Sequence, residues 1–227
     1  MTGNIASHMI SDFLFGFGAL FAIINPYGLA FVFLERTMSL SDQERSRVAR
    51  RIAIYAFCVL LVSLFIGSQI LNFFGISMPA LRIAGGLVVA GSGWSMLRAP
   101  PAPPGAHAIS TLNFETVQRM AFFPMTIPLT TGPGTIATAI AIGTNRGDNL
   151  DKFFSSSVAA VLVAIAVTLT IYHAYSRSSV MARLFGEEGT GIVTRLSAFL
   201  LLCVGVQIII TGMVEVARSI LDGTSRV

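Results

Sequence analysis

Six long apolar stretches constrain this chain more than any other feature of its sequence. A helix that crosses a bilayer needs about 20 apolar residues, and such stretches lie at residues 10–34, 52–74, 78–97, 120–144, 153–175 and 192–215. Each is continuously apolar, whereas a membrane β-strand shows only about ten residues of alternating character. Of all residues 54% are hydrophobic and 11% are charged, which is not the composition of a soluble domain. The sequence therefore predicts an all-α integral membrane protein with six transmembrane helices.

Two of the six stretches contain residues that interrupt a helix. In the fourth, Gly132-Pro133-Gly134 removes a backbone donor and adds two residues of high backbone entropy. Pro133 suits the first turn of a new helix, and a preceding threonine hydroxyl can serve as its N-cap. In the first stretch, the sequence Asn25-Pro26-Tyr27-Gly28 lies at a matching place. We therefore expect spans one and four to be broken helices.

The two halves of the chain resemble each other in layout. Each has a broken span, an intact span, a Phe-Gly pair that ends at Gly75 or Gly186, and a third span. Three spans is an odd number, so the halves must cross the membrane in opposite directions, as two inverted three-helix repeats. The predicted division is a tag remnant or disordered N-terminus (1–9), a first repeat (10–97), a Pro-rich cytoplasmic linker (98–118), a second repeat (119–217) and a tail (218–227).

The basic residues are distributed unevenly between the two predicted membrane faces. Loops one, three and five carry nine of them, namely Arg36, Arg45, Arg47, Arg50, Arg51, Arg98, Arg119, Arg177 and Arg183, whereas the other face carries Arg146, Lys152, Arg218 and Arg226. Positive charge favours the cytoplasmic side, so both termini are expected in the periplasm. The charges are explained by the lipid bilayer, and no nucleic-acid partner is expected.

The interrupted helices indicate where a ligand could bind. Lipid cannot satisfy backbone groups freed at a break, so they must face protein or a cavity, and the N-terminus of a half-helix attracts anionic groups. Gln207, the most polar residue near the middle of span six, either bonds a neighbouring helix or lines the pathway. The predicted substrate-binding residues are Asn25, Pro26, Gly28, Thr130, Thr131, Gly132, Pro133, Gly134, Thr135 and Gln207.

The sequence also predicts the surroundings of several charged residues and glycines. Arg82 is expected to snorkel to the interface, the alternative being a pair with a substrate or another helix. The acidic residues Asp12, Glu35 and Glu215 are placed near span ends. Span three is rich in glycine, at Gly85, Gly86, Gly91 and Gly93, so we expect it to pack closely against a partner helix and to approach a broken one.

No cluster of His, Cys, Asp and Glu at usable spacing falls inside the predicted spans, and the two lone cysteines, Cys58 and Cys203, offer no metal spacing. We therefore expect neither an enzyme nor a cofactor or metal.

Four motifs together resemble a known family. They are Asn25-Pro-Tyr-Gly28, Leu81-Arg-Ile-Ala-Gly-Gly-Leu87, Ile127-Pro-Leu-Thr-Thr-Gly-Pro-Gly-Thr-Ile136, and Arg195-Leu with Gly205-Val-Gln207. Over nearly the whole chain after residue 9 they look like the MarC family of six-span bacterial inner-membrane proteins. The resemblance implies a secondary transporter of small neutral amino acids of the glycine and alanine class, acting as an exporter. The alternatives are a passive channel-like facilitator and a non-transporting scaffold or stress protein, and a homo-oligomer is left open.

Overall fold

The computed structural model describes residues 2–98, 113–144 and 150–224, which form helices joined by short connections with no strand among them. Most of the predicted Pro-rich linker and the turn at 145–149 lie outside these ranges. The helices are α1 (Thr2–Ile24), α2 (Pro26–Arg36), α3 (Asp42–Phe65), α4 (Gly67–Phe73), α5 (Met78–Arg98), α6 (Phe114–Met120), α7 (Pro133–Thr144), α8 (Leu150–Ser176) and α9 (Ser178–Thr224). A segment of widened turns, Ala121–Thr130, joins α6 to α7.

The described helices account for five to six membrane crossings. Five stretches are long and apolar enough to span a bilayer, namely Ser7–Arg36, Asp42–Phe65, Met78–Arg98, Lys152–Ser176 and Arg195–Leu221. A sixth candidate is the bent pair formed by Phe114–Thr130 and Pro133–Thr144, whose two parts meet at 68°. The prediction of an all-α membrane protein is confirmed.

Span two differs from its predicted form. Its helix α3 begins before the apolar stretch, at a capping box in which the Ser41 side chain accepts from the backbone N–H of Glu44 and the Glu44 side chain accepts from that of Ser41. It ends at Phe65, and a separate short helix, α4, follows from Gly67. A Cβ at Gly67 would clash with Ile140 of α7, so the absence of a side chain at this glycine allows α7 to come close.

The main apolar core lies among α1, α2, α3 and α8, with the α6 to α7 region against it. Its fully buried side chains include Leu20, Ile52, Val163 and Tyr175. Within the described part of the chain, no buried member of this core comes from α5 or α9. The fold therefore has a packed core bundle and, beside it, a separate pair of helices.

Glycines allow α5 and α9 to pack closely. A Cβ added at Gly86 would lie 2.7 Å from the carbonyl oxygen of Gly205, and one added at Gly93 would lie 2.8 Å from that of Ala198. Gly85 instead faces the broken helix, where an added Cβ would lie 2.9 Å from the carbonyl carbon of Pro133. The expected close packing of span three and its approach to a broken helix are confirmed at these three positions, whereas a Cβ at Gly91 would meet no described atom within 4 Å.

The helix contacts have the same pattern in both halves of the chain. Span one contacts spans five and six, through α1·α8 and α2·α9, and span four contacts spans two and three, through α7·α3 and α7·α5. Gly75 and Gly186, the matching glycines of the two halves, both have positive φ, of 65° and 69°. An inverted repeat would produce this pattern, and the repeat itself stays a prediction.

Candidate functional site

The first interruption lies between α1 and α2 at Asn25. This residue has left-handed backbone angles, φ 45° and ψ 60°, which asparagine tolerates better than most residues. Its side-chain oxygen accepts from the backbone N–H of Gly28 at 3.3 Å, and Pro26 opens α2. Gly28 is buried against α9, since an added Cβ would lie 2.9 Å from the hydroxyl oxygen of Ser197. Asn25 thus caps its own half-helix beside span six.

The second interruption begins in the segment Ala121–Thr130, where Phe123 and Ile127 have non-helical backbone angles. The carbonyl groups that lose their helical partners there accept hydrogen bonds from threonine hydroxyls five residues later. Thr126 donates to the carbonyl of Ala121 and Thr130 to that of Met125, both at 2.7 Å, and Thr131 donates to that of Thr126 at 3.2 Å. These hydroxyls therefore donate to the segment before the break, whereas the sequence predicts that one of them caps the N-terminus of α7.

Tyr175 supports this break from the core. Its hydroxyl lies 2.9 Å from that of Thr130, its side chain is fully buried, and its ring stacks on Phe33 with 4.6 Å between the centroids. Sequence reasoning missed this residue. A tyrosine near the end of an apolar span is a signal that could have found it, because a buried Tyr hydroxyl usually has a hydrogen-bond partner.

The half-helix α7 starts at Pro133, and its first turn is enclosed by three other helices. Gly85 of α5 lies against Pro133. A Cβ at Gly134 would meet Ile208 of α9 at 2.6 Å, Val89 of α5 at 3.6 Å and Ile23 of α1 at 3.9 Å. Small residues at the break thus allow α1, α5 and α9 to converge on the N-terminus of α7.

A small cavity of about 20 Å³ adjoins this break. Thr130, Gly132 and Thr135 line it, together with Ile23, Val88, Val89, Ser92, Pro128, Leu129 and Leu201. A volume of this size holds about one water molecule. Three of the predicted site residues therefore share a cavity that is too small for an amino acid in this conformation.

A much larger cleft, of about 750 Å³, lies between α1, α5, α7, α8 and α9. Its volume falls in the range of small-molecule sites, about 300–1,000 Å³. Polar side chains in its lining are Asp12, Arg82, Thr138, Thr144, Ser156, Gln207, Thr211 and Glu215. Ile23 lines both this cleft and the small cavity, and Ile208 lines the cleft. An apolar boundary therefore separates the cleft from the break in span four.

The charged residues of the cleft have partners within the bundle. The guanidinium of Arg82 forms an ion pair with the carboxylate of Glu215, so the expectation that Arg82 snorkels to the interface is wrong and its alternative holds. Glu215 lines the cleft and lies six residues before the end of the candidate span Arg195–Leu221, so it stays near a span end, as expected. Asp12 accepts from the hydroxyl of Ser156 at 2.8 Å.

The predicted site residues thus fall into three groups. Thr130, Gly132 and Thr135 lie at the small cavity, and Gln207 lies in the cleft. The others line neither cavity: Thr131, Pro133 and Gly134 belong to the packed break of span four, and Asn25, Pro26 and Gly28 belong to that of span one. The two breaks approach each other through Ile23, which lies two residues before Asn25 and faces Gly134.

Comparisons with known proteins agree with this architecture. A family model described as "MarC family integral membrane protein" matches residues 10–217. Proteins named "UPF0056 inner membrane protein MarC" from Citrobacter koseri, Salmonella typhimurium and Escherichia coli are each 34% identical over 209 residues, which is 90% of this chain and 95% of each relative. No solved structure is significantly similar to the chain. The relatives' names and the apolar helices together support a multi-pass protein of the inner membrane, and the chain belongs to the MarC family of integral membrane proteins.

Proposed function

We propose that this protein is a secondary transporter of small neutral amino acids of the glycine and alanine class, and that it exports them. The observation that carries the proposal is a cleft of about 750 Å³ in a membrane bundle, bounded at Ile23 by the junction of two interrupted helices. Interrupted helices that meet inside a membrane are the usual location of a transporter substrate site. The resemblance of the sequence motifs to the MarC family supplies the substrate class.

The proposed pathway runs from the cleft to the break in span four. The substrate passes the apolar boundary at Ile23 and Ile208 and reaches the first turn of α7. There the N–H groups beyond Pro133 and the hydroxyl of Thr135 offer donors to a carboxylate. Asn25 and carbonyl groups freed at the breaks offer acceptors to the ammonium group. Thr130, Thr131, Gly132 and Gly134 keep this region small, which restricts the substrate side chain.

A carrier fits the packing better than an open pore does. The cavity at the break has room for about one water molecule, so the substrate requires a conformational change to enter. The helix pair α5 and α9 is the element available to move, because it lies outside the main apolar core. Movement of one bundle against another around a central site is the general mechanism of alternating access.

The proposal includes an orientation in the membrane. The uneven distribution of basic residues supports periplasmic termini. Asp12, Met78, Thr144, Ser156 and Glu215 lie near the span ends on that same side and line the cleft, so the cleft opens to the periplasm. The partners are then the amino acid and the surrounding lipid, with no catalytic step, cofactor or nucleic acid involved, and the oligomeric state is left open.

A ligand screen tests the proposal directly. Thermal unfolding of the purified protein is measured with each of the twenty amino acids in turn. A ligand that binds only the folded state at 100 times its Kd adds about 2.7 kcal/mol to the free energy of unfolding. We expect glycine and alanine to raise the unfolding temperature most, and amino acids with large or charged side chains, which do not fit at the break, to raise it less. No rise with any amino acid would favour the non-transporting scaffold.

A further inference from the structure

The ion pair between Arg82 and Glu215 is in an unusual place for a structural contact. Both residues lie inside candidate membrane spans, where ionisable groups are costly and usually mark a functional site. Their side chains are 20% and 36% exposed, and both line the large cleft. The pair is therefore accessible to a molecule that enters the cleft.

Close helix packing sets the position of this pair. A Cβ added at Gly212 of α9 would lie 3.0 Å from the carbonyl oxygen of Pro79 and 3.2 Å from the Cβ of Arg82. Glu215 follows about one turn later, which brings its carboxylate to the guanidinium. Glycine contacts at Gly86, Gly93 and Gly205 already hold α5 against α9. The helix pair therefore has other contacts to keep it together when the ion pair opens.

The face of α9 that carries Glu215 is polar along the cleft. Gln207, Thr211 and Glu215 are spaced four residues apart, so they lie on one side of the helix. All three line the cleft, and among the described residues the amide of Gln207 makes no hydrogen bond. Of the residues that the structure describes in the cleft lining, Arg82 is the one basic side chain, and the second carboxylate, that of Asp12, accepts a hydrogen bond from Ser156.

We propose that Arg82 and Glu215 form a binding site for the two charged groups of a zwitterionic amino acid, at which the substrate docks before it reaches the broken helices. The substrate carboxylate pairs with Arg82 and its ammonium group pairs with Glu215, so one ion pair is exchanged for two. A ligand with a single charge leaves one protein charge unpaired, so it is rejected. This inference rests on the proposed transport function and assigns its first recognition step.

The two regions then read different parts of the substrate. The cleft is much larger than glycine or alanine, so the ion pair selects for the two charged groups and not for side-chain size. The size of the substrate side chain is tested in a later step, at the small cavity beside Gly132 and Thr135.

Thermal unfolding of the purified full chain with three probes tests the site. The probes are glycine, which carries both charges, acetate, which carries only the carboxylate, and methylamine, which carries only the ammonium group. For the unaltered protein we expect stabilisation by glycine alone. In Arg82→Gln and Glu215→Gln, half-maximal stabilisation should need about 10- to 100-fold more glycine, since each loses a charge-assisted contact. Arg98→Gln is the matched control, because Arg98 lies over Trp94 near the other end of α5, and it should behave as the unaltered protein does.

A change in ligand selectivity separates a binding role from a structural one. Glu215→Gln leaves Arg82 without its partner, so acetate should now stabilise the protein, and Arg82→Gln should likewise gain stabilisation by methylamine. If both variants keep the glycine response of the unaltered protein, or neither gains a single-charge ligand, the proposed site is overturned. Absence of stabilisation by any amino acid in the unaltered protein would instead overturn the transport function on which the inference rests.

Discussion

Asn25 shows how one residue can have either a structural or a ligand-binding role. Its backbone angles are costly for most side chains, and its amide caps α2 through Gly28. The sequence also predicts that Asn25 contacts the substrate, and this contact stays a proposal. Its positive φ could not be read from the sequence, because Asn-Pro is compatible with several turns.

Two substitutions at Asn25 separate these roles. Asn25→Gly keeps the left-handed backbone without strain, whereas Asn25→Ala loses the cap and adds strain of about 1–2 kcal/mol. We therefore expect the alanine variant to be less stable than the glycine variant by about that amount in denaturant unfolding. If the side chain also binds substrate, both variants lose transport. Normal transport by Asn25→Gly would limit the residue to its structural role.

Tyr175 allows a second test at this scale. Tyr175→Phe removes the hydroxyl beside Thr130 but keeps the stacked ring on Phe33. We expect the free energy of unfolding to fall by about 1 kcal/mol, the value of a typical hydrogen bond. Tyr172→Phe on the same helix is the control, because its hydroxyl makes only an exposed 3.4 Å contact with Ser46. Equal stability of both variants would contradict a supporting role for Tyr175.

The two interrupted spans are the elements that define the candidate site. Proline and glycine indicated both interruptions in the sequence, because proline removes a backbone hydrogen-bond donor from a helix and glycine makes its backbone more flexible. The widened turns before the second break were not anticipated, although Pro124 and Pro128 also lie inside the span. They depend on hydroxyl bonds at a spacing of five residues, which helix periodicity does not reveal.

The approach of α5 to the break gives a prediction for this element. In Gly85→Ala the added Cβ meets backbone atoms of Pro133 and Gly134, which cannot move aside as a flexible side chain can. We expect a loss of about 1–3 kcal/mol in the free energy of unfolding, as for other overpacked sites, together with slower transport. Gly91→Ala on the same helix should retain both properties, because an added Cβ there has no described atom within 4 Å. Equal behaviour of the two variants would argue against tight packing at the break.

For the whole molecule, the length of the apolar stretches was enough to predict the helices, but not which helices pack against each other. Six stretches of about 20 residues gave five to six spans. The position of α5 and α9 beside the core depends on which glycines face which helix, and the large cleft lies between this pair and helices α1, α7 and α8. The pairing of Arg82 with Glu215 also needed this arrangement, since the two residues are far apart in sequence.

The proposed orientation can be checked by labelling in cells. Two single-cysteine variants are made in a chain whose Cys58 and Cys203 are replaced by alanine. Thr144→Cys places its thiol beside the cleft, and Met38→Cys places its thiol in the first loop. A thiol reagent that cannot cross the inner membrane should label Thr144→Cys in intact cells and Met38→Cys only after lysis. The reverse pattern would place the termini in the cytoplasm.

Counterflow in proteoliposomes tests the proposed function most directly. Vesicles containing the purified protein are loaded with unlabelled glycine and diluted into a trace of labelled glycine, with protein-free vesicles as the control. A carrier should accumulate label transiently above its equilibrium level, because the unlabelled glycine inside competes with the label for the sites that carry it out. Label that only rises to equilibrium would indicate a passive facilitator, and label that never exceeds the protein-free control, with alanine giving the same result, would contradict amino-acid transport.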